Sequence, residues 1–214
     1  MNEKIDGLLG LGRGQGLSFP LQTMTQIGSV FSHCLADKKK LSTVDFGRDV
    51  IIPGNTLFTP LIDDDSNYRV ELAGISVGEK LVSGSYGGGK VIVDSGTTFT
   101  TLVESVYKRV WKAFETASPG LKLVNDPMSE YLEHCFTFLG DKKTPGMVLH
   151  LPGAGVALSP ENCLVSGEKQ GTWCFAFKRV DDGSLSIIGN TQLQGIRVVY
   201  DLARSRVGFA QNAC

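Results

Sequence analysis

Short apolar runs separated by glycine and polar turns make up most of the chain. Runs that are rich in β-branched and aromatic residues and are bounded by turn residues are typical of β-strands. The pattern therefore predicts a mainly β chain with many short strands. The predicted strands are Leu41–Phe46, Tyr68–Ile75, Lys80–Val82, Val91–Asp94, Met147–Leu151, Val156–Leu158, Thr172–Phe177, Leu185–Ile188, Ile196–Asp201 and Val207–Ala210.

One segment has helical periodicity instead. Apolar residues recur every three or four positions between 103 and 114, and Ser118-Pro-Gly120 ends the pattern. Thr101 and Glu104 have the spacing of a capping box, so we place the helix start there. A shorter helix is predicted to begin at Ser18–Leu21 and to end near Gly28.

A carboxylate follows one of the apolar runs directly. Val91–Val93 lead into an Asp-Ser-Gly-Thr sequence that begins at Asp94, so a buried strand would carry this residue to a protected position. Gly96 permits a sharp turn, which would bring backbone N–H groups and the hydroxyls of Ser95 and Thr97 near the carboxylate. A carboxylate held by several donors can act as a general base that activates water. Asp94 is therefore the candidate catalytic residue, with a purely structural aspartate as the alternative.

Elements further along the chain make this motif specific. Ser186-Ile-Ile-Gly-Asn190 is followed by an apolar hairpin that ends at Ala210. The order of Asp-Ser-Gly-Thr, Ile-Ile-Gly and a Val-Val-Tyr-Asp…Val-Gly-Phe-Ala hairpin resembles the C-terminal lobe of pepsin-like aspartic proteases. Other segments resemble the plant nepenthesin-like branch, which shares its fold with plant xylanase-inhibitor proteins. These segments are Phe31–Leu35, Leu57–Leu61, Tyr68–Gly78 and Trp173–Phe177.

The resemblance implies the C-terminal lobe of the bilobed pepsin-like acid protease fold, mainly β, with one short helix behind the aspartate turn. Residues 31–214 would form this lobe. Residues 1–30 would be a remnant of the first lobe and the connection, because Asp6–Gly14 resembles the end of a first lobe. The sequence has no second Asp-Thr/Ser-Gly motif. We therefore expect a truncated protease without the partner aspartate and the flap.

The family mechanism uses two aspartates that share a proton and polarise a water molecule. By resemblance, Asp94 is one of this pair. Ser95 would make a hydrogen bond between the lobes, and Thr97 would donate to the outer oxygen of Asp94. The residues expected to support or line the site are Ser95, Gly96, Thr97, Thr98, Ile187, Ile188 and Gly189. No cofactor and no metal are expected.

The resemblance implies an aspartic-type endopeptidase that is inactive alone, because the first aspartate motif is absent. One alternative is a non-catalytic binding protein similar to the xylanase inhibitors. Another is a homodimeric protease in which each of two copies supplies Asp94. The expected partners are a protein or peptide substrate and either a missing N-terminal lobe or a second copy. The intact Asp-Ser-Gly-Thr sequence favours descent from a protease.

Charge and hydropathy exclude other classes of partner. The net charge is −1, which argues against nucleic acid binding. No apolar run is long enough to span a membrane, and residues 1–4 lack the pattern of a secretory signal. The full-length relative is expected to be extracellular, apoplastic or vacuolar, and we expect no signal peptide within the sequence as given.

The five cysteines suit an oxidising compartment but leave one unpaired. The family resemblance implies a Cys135–Cys174 bond and a Cys34–Cys214 bond, with Cys163 as the free thiol. Five reduced thiols in a cytosolic chain are the alternative.

One glycine-rich segment needs a separate interpretation. Gly84–Lys90 has the spacing of a phosphate-binding loop, but Val91 replaces the required hydroxyl residue and a strand follows where a helix should begin. A flexible loop is the preferred interpretation. Leu121–Ser129 and Asp181–Ser184 are also expected to be surface loops.

Overall fold

The computed structural model describes residues 7–14, 18–36, 41–63, 66–139 and 144–214, with the side chains of residues 83–88 left out. The described residues are mainly β, as predicted. The strands are β1 (Val30–Cys34), β2 (Thr43–Phe46), β3 (Leu57–Pro60), β4 (Arg69–Val77), β5 (Lys80–Val93), β6 (Thr100–Val103), β7 (Leu121–Leu123), β8 (Cys135–Phe138), β9 (Met147–Leu151), β10 (Ala154–Leu158), β11 (Leu164–Ser166), β12 (Trp173–Phe175), β13 (Phe177–Val180), β14 (Ser186–Ile188), β15 (Ile196–Asp201) and β16 (Arg206–Gln211). The helices are α1 (Phe19–Ile27), α2 (Glu104–Thr116), α3 (Pro160–Cys163) and α4 (Asn190–Leu193).

Three sheets organise these strands. A five-stranded sheet has the order β2-β1-β15-β16-β3, so the C-terminal hairpin β15–β16 lies inside it. A seven-stranded sheet has the order β10-β9-β4-β5-β14-β6-β13, and a four-stranded sheet has the order β11-β12-β8-β7. In the seven-stranded sheet, β14 lies between β5 and β6 and pairs in parallel with β5. This insertion brings the Ile-Ile-Gly element beside the end of β5.

Helix α2 starts later than the sequence predicts. Its first residue is Glu104, and the residue at its N-cap position, Val103, has no side chain that could make a capping hydrogen bond. Thr101 belongs to β6 instead, where it pairs in parallel with Lys178 of β13. The capping-box prediction was therefore wrong, because pairing of residues 100–103 with a distant strand determines their conformation.

The apolar face of α2 packs against the sheet that carries Asp94. Val106, Tyr107, Val110 and Phe114 are buried, and the helix contacts β4, β5, β6 and β13. Burial of such side chains stabilises the fold by roughly 1.5–3 kcal/mol each. The helix therefore supports β5 from behind, as the sequence predicted.

Helix α1 has the predicted ends. The hydroxyl of Ser18 accepts a hydrogen bond from the Leu21 N–H at 3.3 Å and donates to the Gly12 carbonyl at 2.5 Å. Gly28 follows the helix with φ at 86°. Since Ser18 contacts both α1 and Gly12, it fixes the preceding segment to the helix.

Two predicted loops have a different structure. The backbone of residues 84–90 is part of the long strand β5, which also contains the separately predicted strand Lys80–Val82 and all of the predicted strand Val91–Asp94 except Asp94. Leu121–Leu123 forms β7, and Pro127–Glu130 forms a 3-10 turn.

Asp126, directly before that turn, is buried, and its carboxylate accepts hydrogen bonds from the backbone N–H groups of residues 128, 168 and 169. These donors outweigh the opposing effect of burial, so the pKa of Asp126 lies below its ordinary value.

The cysteines pair as the family resemblance implies. Cys34 is bonded to Cys214, and Cys135 is bonded to Cys174. Cys163 is free and buried, and burial together with Glu161 raises the pKa of its thiol to about 12. The carboxylate of Asp126 lies close to the Cys135 and Cys174 sulfurs, but the disulfide removes both sulfurs as metal ligands.

The described helices include none that is both long enough and apolar enough to cross a membrane. The predicted division into residues 1–30 and residues 31–214 stays a prediction, and Asp6 of the proposed remnant lies outside the described residues.

Candidate functional site

Asp94 lies directly after the end of β5. Val91 and Val93 are buried, and the Asp94 N–H donates to the Ile188 carbonyl at 3.0 Å. The Thr97 N–H then donates to the Asp94 carbonyl at 3.3 Å, which closes a tight turn. The strand and the turn together place a half-buried carboxyl group at the edge of the sheet.

Each carboxylate oxygen of Asp94 accepts a hydrogen bond from its own turn. The Gly96 N–H donates to Oδ1 at 2.9 Å, and the Thr97 hydroxyl donates to Oδ2 at 2.7 Å. These bonds fix the plane of the carboxyl group. The bond predicted for Ser95 between two lobes stays a prediction, as does the catalytic role of Asp94.

The Ile-Ile-Gly element packs directly against the Asp94 turn and supports it. Ile187 pairs with Ile92 on one side and with Thr101 on the other, while Ile188 is buried. A side chain at Gly189 would place Cβ 2.8 Å from the Thr97 carbonyl oxygen, so glycine alone fits here. The predicted support residues therefore meet at one place in the fold.

Residues that follow Gly189 hold the turn by hydrogen bonds. The Asn190 N–H donates to the Thr97 carbonyl at 2.7 Å, and its side-chain amide donates to the Ser95 carbonyl at 3.1 Å. The hydroxyl and the N–H of Thr191 both donate to the carbonyl of Thr98, at 2.9 and 3.0 Å. The Thr98 side chain itself is exposed.

A buried glutamine joins this support to the rest of the lobe. Oε1 of Gln192 accepts the Thr100 N–H at 2.9 Å, and Nε2 donates to the carbonyls of Asn162 and Ala176 at 2.6 and 2.9 Å. Sequence reasoning missed both Asn190 and Gln192. The available signal was a polar run, Asn-Thr-Gln, directly after an apolar strand.

A cavity of about 380 Å³ opens beside the Asp94 turn. One wall is the segment 8–12, and the other contains Phe31, His33, Tyr68 and Tyr200. The Tyr68 hydroxyl donates to the Leu11 carbonyl at 2.5 Å and so joins the two walls. Among the described residues that line this cavity, Asp94 is the one with a carboxylate side chain.

Burial keeps the aromatic wall uncharged at neutral pH. It lowers the pKa of His33 to about 4, with a further contribution from the positive charge of Arg197. Burial also raises the pKa of Tyr200, and Tyr68 and Asp94 add to the effect. His33 and Tyr200 are 3.3 Å apart between Nε2 and the hydroxyl. The cavity therefore offers a neutral, aromatic surface next to one carboxylate.

Comparison with known proteins shows the family to which the chain is similar. The family described as xylanase inhibitor C-terminal matches residues 67–211, which include the Asp94 turn and Gly189. Aspartyl protease family protein 2 of Arabidopsis thaliana is 43% identical over 225 residues, covering 97% of this chain and 45% of the relative. Aspartyl protease 25 of Oryza sativa subsp. japonica is 31% identical over 234 residues, covering 97% of this chain and 51% of the relative. The chain thus spans about half the length of these relatives.

Solved structures share the fold. Basic 7S globulin from soybean matches with a TM-score of 0.79 and 25% identity, over 95% of this chain and 58% of that one. Conglutin gamma from lupine seeds also matches with a TM-score of 0.79, at 24% identity, over 96% of this chain and 57% of that one. The matched family region contains both the turn and its supporting strand. The chain therefore belongs to the family of plant aspartyl proteases with a pepsin-like fold.

Proposed function

We propose that the chain provides one of the two catalytic carboxylates of an aspartic endopeptidase, and that Asp94 is this carboxylate. The observation that carries the proposal is the geometry of Asp94. A buried strand delivers the residue to an open cavity, and separate donors hold its two oxygens. The family match over the same residues supports this assignment.

Peptide hydrolysis by a pair of carboxylates divides the proton transfers between them. The ionised member removes a proton from water as the water attacks the peptide carbonyl carbon. The protonated member donates its proton to the carbonyl oxygen, and the carboxyl group that took the water proton passes it to the amide nitrogen as the C–N bond breaks. In this chemistry the Gly96 N–H and the Thr97 hydroxyl would keep Asp94 oriented toward the water.

The second carboxylate is proposed to come from another segment. The chain spans about half the length of its relatives, and the described cavity lining contributes one carboxylate. A first half like that of the relatives is the preferred source, with a second copy of this chain as the alternative. The two disulfides support an extracellular or vacuolar location for such a protein.

Complementation tests the proposal. The chain alone is expected to show little or no peptide hydrolysis at acid pH. Mixing or co-expressing it with the first half of Aspartyl protease family protein 2 is expected to produce hydrolysis. Asp94→Asn, which preserves shape, should lower that rate roughly a hundredfold to ten-thousandfold.

Asp182→Asn is the matched control. Asp182 is exposed on a loop, its carboxylate accepts a hydrogen bond from the Ser105 N–H, and it does not line the cavity. It should leave the rate unchanged. Hydrolysis that survives Asp94→Asn would overturn the assignment of Asp94. Hydrolysis by the chain alone that Asp94→Asn abolishes would show that a second copy supplies the partner. A complete lack of hydrolysis with the added first half would contradict the peptidase proposal.

A further inference from the structure

A single peptide group separates the Asp94 carboxylate from the side chain of Asn190. The N–H of Gly96 donates to Oδ1 of Asp94 at 2.9 Å. The carbonyl of the same peptide group belongs to Ser95, and it accepts a hydrogen bond from Nδ2 of Asn190 at 3.1 Å. Asn190 and Asp94 therefore act on opposite ends of one amide.

The orientation of the Asn190 side chain follows from its partners. The Ser95 carbonyl can only accept, so the nitrogen of the Asn190 amide must face it. The Asn190 oxygen then faces Gln194, whose Nε2 donates to it at 2.9 Å. Gln194 is in turn held at its backbone carbonyl by Nδ2 of Asn162 at 3.0 Å. Three amide groups thus form a chain of hydrogen bonds that runs toward the carboxylate. Gln194 donates to Asn190, Asn190 donates to the Ser95 carbonyl, and the Gly96 N–H donates to Asp94.

Aligned amides polarise one another. A donor to a carbonyl draws electron density through the amide, which makes the N–H at its other end a stronger donor. The same bond also resists rotation of the peptide group, which would turn the Ser95 carbonyl toward the negative Asp94. Both effects favour a firm hydrogen bond from Gly96 to Oδ1.

We propose that Asn190, oriented by Gln194, is a positioning residue for Asp94 that acts through the Ser95–Gly96 peptide group. The amide relay (Gln194, Asn190 and the Ser95–Gly96 peptide) holds and strengthens the N–H that contacts the carboxylate. The inference rests on the proposed function only for the claim that Asp94 is a reacting group. The relay itself is tested without turnover.

A merely structural role for Asn190 has a different signature. The Asn190 backbone N–H ties α4 to the Thr97 carbonyl, and this bond does not require the side chain. The hydroxyl of Thr97 donates to Oδ2 and is not part of the relay. Loss of the Asn190 side chain should therefore change Gly96 selectively and leave the Thr97 amide nearly unchanged.

NMR of the oxidised full chain tests the relay. In Asn190→Ala, the amide proton resonance of Gly96 is expected to move upfield and its exchange with solvent to accelerate severalfold. In Gln194→Ala the same resonance should move in the same direction by a smaller amount. Gln211→Ala is the control, because it removes a similar amide bond, from Nε2 to the Ala157 carbonyl at 3.1 Å, that is not connected to the turn.

Two results would overturn the proposal. The first is that the Gly96 amide proton resonance shifts by the same amount in Asn190→Ala and Gln194→Ala as it does in the control Gln211→Ala. The other is an equal change at Gly96 and Thr97, which would show that Asn190 only tethers the turn. If Asn190→Ala fails to fold, Gln194→Ala decides the question alone. Neither measurement depends on hydrolysis, so failure of the peptidase proposal is a separate outcome.

Discussion

At the scale of single residues, the cavity wall combines stacked aromatic rings with one titratable imidazole. The rings of Phe31 and Tyr200 stack with centroids 4.5 Å apart, and Tyr68 lies 4.4 Å from Tyr200. His33 is 3% exposed and its Nδ1 has no hydrogen-bond partner among the described residues. Arg197, which pairs with Asp45, adds a positive charge nearby. Protonation of His33 would therefore place an unpaired cation in a buried site, close to the positive charge of Arg197.

His33 should make the fold less stable in acid. Its pKa is lowered from 6.5 to about 4, so the unfolded chain binds the proton first as pH falls. The contribution of neutral His33 to stability is complete above pH 6.5 and is lost as the pH falls toward 4. A shift of this size corresponds to about 3 kcal/mol at most. Urea unfolding at several pH values should show a shallower decline between pH 6.5 and 4 for His33→Phe than for the unmodified chain.

The control for this variant is near-UV circular dichroism at pH 7, which should match that of the unmodified chain. Equal slopes for the two proteins between pH 6.5 and 4 would show that His33 is not the titrating group. His134 also has a pKa lowered mainly by burial, but it is present in both proteins and cancels in the comparison.

At the scale of elements, the sequence predicts best those strands whose own composition favours extended backbone. Met147–Leu151 and Ile196–Asp201 have the predicted bounds because apolar and β-branched residues fill them. The strand Thr100–Val103 was missed, since pairing with the distant segment Phe177–Val180 determines its structure. The strand Leu164–Ser166 was also missed, although its partner strand, Trp173–Phe175, lies close to it in the sequence. Thr101 shows the conflict directly, because its local signal favours a helix cap.

The residues of the candidate site also fall into two groups, those that a local motif indicates and those whose roles depend on the fold. Asp94 could be singled out because a short motif specifies a sharp turn, and Gly189 because the Ile-Ile-Gly element resembles that of the family. Asn190, Gln192 and His33 were not found, since their roles depend on contacts across the fold. The pairing of cysteines was reached by family resemblance, because spacing alone leaves several connectivities open.

The Cys135–Cys174 bond joins adjacent strands, and its loss should weaken the four-stranded sheet. The two residues are paired across β8 and β12, with a sequence separation of 39. A chain-entropy estimate gives about 4 kcal/mol for a loop of this size. The double variant Cys135→Ser/Cys174→Ser should lower the free energy of unfolding by a similar amount in urea titrations.

Peptide mapping provides the check on connectivity. Denatured but unreduced protein should be alkylated at Cys163 alone. Alkylation of Cys135 or Cys174 under these conditions would contradict the pairing.

At the scale of the whole molecule, the segment 7–14 packs against the rest of the lobe with only some of its residues. Leu11 packs against the core, and the Arg13 N–H donates to the Ser66 carbonyl at 3.2 Å. Leu8 and Leu9, in contrast, are 93% and 57% exposed beside the Asp94 cavity. The segment therefore contacts the lobe through Leu11 and Arg13, while the side chains of Leu8 and Leu9 face solvent.

Exposed apolar side chains next to an open cavity favour self-association. Sedimentation velocity at micromolar concentration should detect species larger than a monomer, and Leu8→Ser/Leu9→Ser should reduce them. Leu41→Ser is the control, since Leu41 is equally exposed at 93% but does not line the cavity. A monomer that binds no apolar dye would contradict this prediction.

The position of β14 between β5 and β6 also constrains the order in which the protein can assemble. Residues 94–97 are synthesised long before residues 186–190, yet the Asp94 N–H, the Thr97 carbonyl and the Ser95 carbonyl all bond to that later segment. Contacts between such distant segments form late, because a long loop must close first. A nascent chain that ends before Ser186 therefore carries the aspartate without its supported geometry. The ordering of the turn is linked to completion of the fold.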